Sequence, residues 1–220
     1  MKRCAICHCY SKNLLCNGCR PLIQPPDFGC RCCAKPLPKP KQADESLLCA
    51  DCRAVQPAFD GICCAGVYQP PGRQWVMALK FSNQLHWARI MAELMAPLIQ
   101  QMPTDWPLIA MPLHPKRLRH RGYNQAREIA RQLSKLCERP LISKVLFRTK
   151  YTAMQATLPE KQRRSNVRNA FEVLSDELPA AVIVVDDVLT TGQTLSAAAK
   201  ALKIAGVQVV YGAVFLRASG

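Results

Sequence analysis

The segment at residues 182–194 constrains the fold of this chain more than any other. It begins with four β-branched residues, 182–185, which predict a strand buried on both faces. Two carboxylates, Asp186 and Asp187, follow where we expect that strand to end. A Thr-Thr-Gly turn then leads into residues 195–205, whose Ala/Leu/Lys composition predicts a helix. Such a strand, turn and helix form one unit of a parallel sheet with helical crossovers.

The turn in this segment has the chemistry to hold a sugar phosphate. Free backbone N–H groups and the positive end of the helix dipole favour a phosphate at a helix N-terminus. The two acids can accept hydrogen bonds from ribose hydroxyls or approach the metal of the ligand. The alternative is an ordinary helix cap, but an acidic pair and three threonines exceed what capping requires. We therefore predict a phosphate-binding turn made of Thr190, Thr191, Gly192, Gln193 and Thr194.

From residue 58 onward, apolar runs alternate with segments of helical periodicity. This alternation predicts an α/β domain at 58–220, with a parallel sheet flanked by helices. The predicted strands are 62–68, 108–113, 141–147, 180–185 and 207–216, and the predicted helices are 73–81, 86–101, 123–137 and 195–205.

Residues 1–57 form a separate cysteine-rich module. Its eight regularly spaced cysteines make four Cys-x2-Cys pairs: Cys4, Cys7, Cys16, Cys19, Cys30, Cys33, Cys49 and Cys52. Four such pairs suit two tetrahedral zinc sites, and sites with four protein ligands are structural because no position is left open to water. We expect sequential pairing, with the first four cysteines on one ion. A cross-braced arrangement is the alternative, which spacing does not exclude.

The other cysteines are weaker candidates for metal ligands. Cys9 and Cys32 lie inside or beside the pairs, and either of them, or His8, could replace a neighbouring ligand. We expect them to be bystanders. The remaining three thiols lie in apolar surroundings and are expected to be buried: Cys63, Cys64 and Cys137.

Charge indicates an anionic partner. The formal net charge is +15, and two zinc ions bound by eight thiolates would bring it to about +11. Phosphorylated compounds and nucleic acids both fit this charge. No run of about eighteen apolar residues predicts a membrane span, and the N-terminus enters the cysteine cluster without an apolar signal region. We expect a cytoplasmic protein.

Two basic stretches could supply the cations for an anionic ligand. Loops that follow strands of a parallel sheet meet at one edge, so the stretch at 114–125 should face the acidic pair. A solvated or nucleic-acid-binding loop is the alternative for either stretch. The candidate cations of the first are Lys116, Arg117, Arg119 and Arg121; those of the second are Lys161, Arg163, Arg164 and Arg168.

These motifs together resemble a known family. The segment at 186–194 resembles the phosphoribosyl-pyrophosphate (PRPP) signature of type I phosphoribosyltransferases. Together with the cysteine pairs and three further segments, it resembles the ComF/GntX family over nearly the whole chain. The three segments are Leu79-Lys80-Phe81, Arg119-x-Arg121-Gly122-Tyr123-Asn124-Gln125, and the stretch from Gln155 through Arg163 to Asn169-Ala170-Phe171. That resemblance implies a double zinc ribbon on a phosphoribosyltransferase-like domain, in bacteria that import DNA for transformation or nutrition.

The resemblance also implies roles for the site residues. Asp186 and Asp187 would take the ribose hydroxyls of Mg-PRPP, the turn at 190–194 its 5'-phosphate, and the basic loop its pyrophosphate. It implies an enzyme of the glycosyltransferase class without supplying an acceptor, a general base or a reaction, so catalytic residues are unassigned. Thr190 stands where purine salvage enzymes of the hypoxanthine/guanine type carry a carboxylate, which argues against that activity.

Two functions follow as expectations. The first is a PRPP-binding, phosphoribosyltransferase-like protein of DNA uptake, competence or use of extracellular DNA. The alternative is a non-catalytic zinc-ribbon adaptor that binds single-stranded DNA or a partner in the DNA-uptake machinery. An aromatic content of 6% weakens a base-stacking version of that alternative.

Overall fold

A parallel five-stranded sheet forms the centre of the protein. The computed structural model describes residues 2–39, 47–149, 170–175 and 177–219. Numbered along the chain, the sheet strands are β3 (Gly61–Val67), β4 (Leu108–Ala110), β5 (Leu141–Ile142), β8 (Ala181–Leu189) and β9 (Val209–Arg217). Their spatial order is β3-β9-β8-β4-β5, with parallel pairing throughout. The predicted α/β fold is therefore confirmed.

Helices cover both faces of this sheet. On one face lie α2 (Gly72–Phe81), α3 (His86–Ile99) and α5 (Gln125–Cys137), and on the other lies α6 (Gln193–Ile204). The β-branched run of β8 serves both cores: Ile183 packs with the first group of helices, whereas Val182 packs with α6. Successive strand residues point to opposite faces, which explains why this strand is apolar throughout. Among the residues described, no helix combines the length and apolarity that crossing a membrane requires.

The cysteine-rich module repeats one backbone motif. It contains a short ladder of β1 (Lys2–Arg3) with β2 (Tyr10–Ser11), a 3-10 turn (Arg20–Leu22) and α1 (Ala50–Ala54). In the first half the Cys4 N–H donates to the Cys9 carbonyl at 2.8 Å, and in the second the Cys30 N–H donates to the Lys35 carbonyl at 2.8 Å. The residue after the second cysteine has a positive φ in both: 61° at His8 and 55° at Ala34. The two halves thus share the same knuckle geometry.

Ile23 joins the cysteine-rich module to the sheet domain. Its side chain lies over Gly66 and Gly72, where a Cβ atom would come within 3.0 Å and 2.9 Å of Ile23 methyl groups. Only glycine leaves room for this close approach. The two modules are therefore packed together.

Two parts of the chain differ from the sequence-based expectation. The strand predicted at 141–147 is two strands, because Lys144 adopts a φ of 62° and turns the chain between them. The second strand, β6 (Leu146–Arg148), leaves the main sheet and pairs antiparallel with β7 (Phe171–Val173). The basic stretch after β4, predicted as a loop, contains the helix α4 (Pro115–Arg121). The second basic group, at 161–168, lies outside the described residues.

Candidate functional site

The two acids lie inside β8 and not beyond its end. Pairing of β8 with β4 stops at Val185, opposite Ala110, whereas pairing with β9 continues to Leu189, opposite Arg217. The expectation that the strand would end before the acids was therefore wrong, because β9 extends it. Since β4 is short, the acids lie where β8 continues beyond the end of β4, at the carboxyl edge of the sheet where parallel α/β sheets bind their ligands.

Asp187 is the centre of a buried polar cluster. Its side chain is 3% exposed and forms an ion pair with Lys80 of α2. The Gln125 side chain of α5 donates to the other carboxylate oxygen at 3.2 Å, and Arg121 donates in turn to Gln125. Tyr123 fixes this arrangement by donating from its hydroxyl to the Leu79 carbonyl, next to Lys80. The helices α2 and α5 thus contact this carboxylate directly, and α4 is linked to it through Gln125.

The pKa values of the two neighbouring acids are shifted in opposite directions. Burial raises the pKa of Asp186 well above its usual range, and the negative charge of Asp187 raises it further. Burial also acts to raise the pKa of Asp187, but the Lys80 ammonium outweighs it and brings the pKa below its usual value. Asp187 is therefore the charged member of the pair, and Asp186 is the member that holds a proton more readily. Such a pair can both accept from and donate to a polyhydroxylated ligand.

The turn after β8 presents unused donors. Gly192 has a φ of 77° and is the N-cap residue of α6, where it offers no side chain to cap the helix. Thr190 and Thr191 are exposed, while the Gln193 N–H points to the Thr191 hydroxyl at 3.5 Å. An uncapped helix N-terminus with adjacent hydroxyls is suited to an anion. The structure thus places residues 190–194, which we call the phosphate loop, directly after the acid pair.

The helix α4 carries the predicted cations of the first basic stretch and places them in different surroundings. His114 begins this helix by accepting from the Lys116 N–H at 3.2 Å, and Gly122 ends it with a φ of 83°. Arg121 reaches the Asp187 cluster, where burial lowers its pKa and the negative charge of Asp187 partly opposes that shift. Arg117 is half-buried near Arg121, whereas Lys116 and Arg119 are exposed to solvent.

Two further basic residues at the site were not predicted for it. Arg148 of β6 is 9% exposed, with its guanidinium 5.7 Å from the centre of the Phe171 ring and within electrostatic range of Asp186. Lys80 was noted only for its resemblance to the family motif. No local pattern indicates either residue, since both lie far from Asp186 along the chain.

Arg217, at the end of β9, holds the start of the phosphate loop. It is 2% exposed, and its guanidinium donates to the Leu189 carbonyl at 3.2 Å and also to the carbonyl of Thr190. The same guanidinium donates to the Cys33 carbonyl at 2.8 Å, in the cysteine-rich module. Sequence patterns did not reveal this residue, because an arginine ending a strand has no distinctive signal of its own.

The eight paired cysteines form two clusters suited to zinc. Cys4, Cys7, Cys16 and Cys19 have sulfurs within 4.8 Å of one another, and so do Cys30, Cys33, Cys49 and Cys52. Tetrahedral sites with Zn–S bonds of about 2.3 Å require sulfurs about 3.8 Å apart. The Cys7–Cys16 and Cys33–Cys49 distances are 3.6 Å and 3.7 Å, so the residues fit the metal. The grouping is the sequential one; Cys9 lies 3.3 Å from the Cys7 sulfur but outside the four-cysteine set.

Comparison with known proteins agrees with this architecture. The model of the phosphoribosyl transferase domain matches residues 87–219. Competence protein F of Haemophilus influenzae is 34% identical over 91% of this chain and 89% of its own length. DNA utilization protein YhgH of Salmonella typhi is 29% identical over 89% of this chain and 87% of its own, and that of Escherichia coli strain K12 is 29% identical over 74% and 75%. The chain is therefore a member of the ComF/GntX family, built on a phosphoribosyltransferase domain.

Proposed function

We propose that this protein binds PRPP at the carboxyl edge of its sheet and acts in competence or in the utilisation of DNA. The DNA-related role rests on the names of its relatives. The single observation that supports the ligand is that the acid pair, of which Asp187 is buried and Asp186 is half-buried, lies close to the N-terminus of α6 and to the cations of α2 and α4. We further propose that residues 58–220 form the ligand-binding domain and residues 1–57 a double zinc ribbon.

Each part of PRPP has a place in this proposal. Asp186 and Asp187 bind the ribose hydroxyls, and the phosphate loop binds the 5'-phosphate through backbone N–H groups. Arg121 and Arg117, with Lys116 and Arg119 further out on α4, hold the Mg-pyrophosphate. Lys80 neutralises the acid pair in the absence of ligand and balances its charge when the ligand is bound. Any transfer reaction would need the pyrophosphate to be held as a leaving group, which these cations favour.

Calorimetric titration with Mg-PRPP tests the proposal. Thr191→Ala is expected to weaken binding by about tenfold or more, because a hydrogen bond to a charged group contributes about 1.5–3 kcal/mol. Thr191 is exposed, so the variant keeps its fold. Thr104→Ala, at another exposed threonine, is the matched control and should bind like the wild type. Equal affinities in all three proteins, or no binding by the wild type, would show that the loop is only a helix cap.

A second candidate, single-stranded DNA binding at the same edge, is favoured by one aromatic residue. Phe81 is 62% exposed and lies beside the Lys80 site, with the Arg121 guanidinium 5.5 Å from its ring centre. Exposed aromatic rings flanked by cations bind bases by stacking, and the basic helix α4 could follow the backbone. The two functions would then share one surface.

Competition separates these two candidates. If DNA uses this edge, Mg-PRPP should displace it, and each phosphate contact removed from α4 should flatten the log-affinity against log-salt slope by about 0.7. We expect this flattening in Arg117→Ala and Arg119→Ala. Arg89→Ala, which removes an exposed arginine paired with Glu93 on α3, should leave the slope unchanged. If the α4 variants alter neither PRPP affinity nor the salt slope, α4 has neither role.

A further inference from the structure

Arg217 is a buried cation, with an exposed fraction of 2%. Its guanidinium is held by carbonyl groups of the phosphate-loop start, of Ala218 and of Cys33. Within the parts of the chain that the structure describes, no aspartate or glutamate forms an ion pair with it. Among the groups that the structure describes, the Cys33 sulfur is able to carry negative charge and lies 3.5 Å from one guanidinium nitrogen. A buried charge without compensation is strongly unfavourable, so this sulfur is the natural counter-charge.

A second buried arginine shows how unusual this environment is. Arg139 is 3% exposed and also donates only to carbonyls, including those of Ile99 and Met102 at 3.0 Å and 2.7 Å. The Ile99 carbonyl is the last of α3, where the helix dipole supplies negative potential, and those of Met102, Pro103 and Trp106 lie in the segment that follows. The carbonyls around Arg217 belong to strands, a turn and a cysteine knuckle, and they provide no such dipole. Arg217 therefore depends on the cysteine cluster as Arg139 depends on its helix.

The two cysteine clusters have different neighbours. Cys4 and Cys19 of the first cluster pack with α2 and α3, on the sheet face that bears those helices. Cys30 and Cys33 of the second pack with α6 and the opposite face, beside the phosphate loop. Only the second cluster contacts Arg217 in the described part of the chain. This difference gives two clusters of similar chemistry unequal access to the loop.

We propose that Arg217 is a positioning residue through which the second cluster, Cys30, Cys33, Cys49 and Cys52, sets the conformation of the phosphate loop. Four thiolates around one zinc ion carry a formal charge of about −2, which balances the guanidinium. Losing the Cys33 thiolate lowers this negative charge beside the guanidinium and frees Arg217 from the position in which it holds the Leu189 and Thr190 carbonyls. The effect on PRPP rests on the function proposed above, whereas the effect on the loop does not.

Linkage makes this coupling reciprocal. If metal at the second cluster raises the affinity of the loop for its ligand, then the bound ligand must raise the affinity of that cluster for metal by the same factor. Metal at the first cluster should be indifferent to the ligand. One ligand would therefore distinguish two otherwise similar metal sites.

Amide hydrogen exchange tests the loop without requiring a ligand. Cys33→Ser removes the thiolate beside Arg217, and Cys7→Ser removes the equivalent thiolate of the first cluster as a matched control. Loop exchange is read at the Ala218 N–H, which donates to the Leu189 carbonyl at 2.9 Å, and at the Ser196 N–H, which donates to the Gly192 carbonyl at 2.8 Å. It is expected to rise about tenfold or more in Cys33→Ser, from loss of a charge-assisted hydrogen bond, and to stay at the wild-type rate in Cys7→Ser. Equal loop exchange in the two variants would overturn the proposal, even if both lose one ribbon.

Arg217 variants keep the proposal testable when a ribbon fails to fold. Arg217→Met should speed release of one of two zinc ions to a chelator and raise loop exchange, and Arg217→Lys should restore zinc retention because it keeps the charge. Arg139→Met, the matched buried arginine, should change neither quantity. Unchanged zinc release in Arg217→Met would contradict the inference.

Mg-PRPP distinguishes this inference from the proposed function. In the wild type it should slow release of the second zinc ion and leave the first unaffected. Faster loop exchange in Cys33→Ser together with no PRPP binding by the wild type would support the coupling and refute the ligand. PRPP binding with unchanged loop exchange in Cys33→Ser would refute the coupling and leave the ligand in place.

Discussion

Replacing Cys49 with serine is expected to remove one of two zinc ions and to unfold the ribbon that contains it. The apolar side chains buried within the described part of the module are few, chiefly Leu15 and Ile23 besides the cysteines. A core this small cannot offset chain entropy, whereas structural zinc contributes about 10–16 kcal/mol in zinc-finger peptides. Elemental analysis should find two zinc ions per chain in the wild type and one in Cys49→Ser, with a lower thermal midpoint.

Cys9→Ser provides the control for this experiment. Cys9 is exposed and lies beside the first cluster without belonging to it, so this variant should keep both zinc ions and the wild-type midpoint. A metal-free protein that remains folded, or disulfides between the paired cysteines, would contradict the zinc assignment. Metal loss in Cys9→Ser would instead make Cys9 a ligand.

The second large effect is expected at the ion pair beneath the candidate site. Lys80→Met leaves the Asp187 carboxylate buried without its cation and should lower the free energy of unfolding by about 3–5 kcal/mol. The double variant Lys80→Met/Asp187→Leu removes both charges and should recover much of that loss. Denaturant unfolding of the wild type, both single variants and the double variant measures the coupling. Additive single effects would show that the pair contributes no interaction energy.

The same pair gives stability a defined pH dependence. The pKa of Asp187 is lower in the folded protein than its usual value, which is about 3.9 in the unfolded chain. Its contribution to stability is therefore present above the unfolded pKa and is lost as pH falls through the folded pKa. Asp187→Asn should flatten the acid limb of the stability profile. An unchanged profile would place the acid sensitivity elsewhere.

Sequence patterns were sufficient to predict the central unit of the fold. The β-branched run and the following turn predicted β8 and α6, because buried strands and helix starts have strong local signals. The signals for α4 were also present: Pro115 at its first position and Gly122 after its last are typical of helix ends. Their meaning was obscured by the basic residues between them. The paired cysteines predicted both clusters, since ligand spacing is set by metal geometry.

The remaining features depend on contacts between distant parts of the chain. The length of β8 beyond Val185 depends on pairing with β9, so the acids could not be placed inside the strand from local sequence. The turn at Lys144 uses a left-handed conformation that lysine rarely adopts, so the split of 141–147 had no local signal. Lys80 and Arg217 have roles only because the fold brings Asp187 and Cys33 to them.

The order of strands in the sheet also determines how the protein can form on the ribosome. The strand β3 pairs with β9 alone. The strand β4 has both of its neighbours in the sheet only once β8 has been synthesised. Both central strands are synthesised after residue 180, when most of the chain has already emerged. Until then β3 and the apolar faces of α2 and α3 have no sheet to cover them, and exposed apolar segments of this kind favour aggregation. Folding of the sheet domain therefore cannot be completed before β8 and β9 have been synthesised, whereas the cysteine knuckles can take up metal earlier in synthesis.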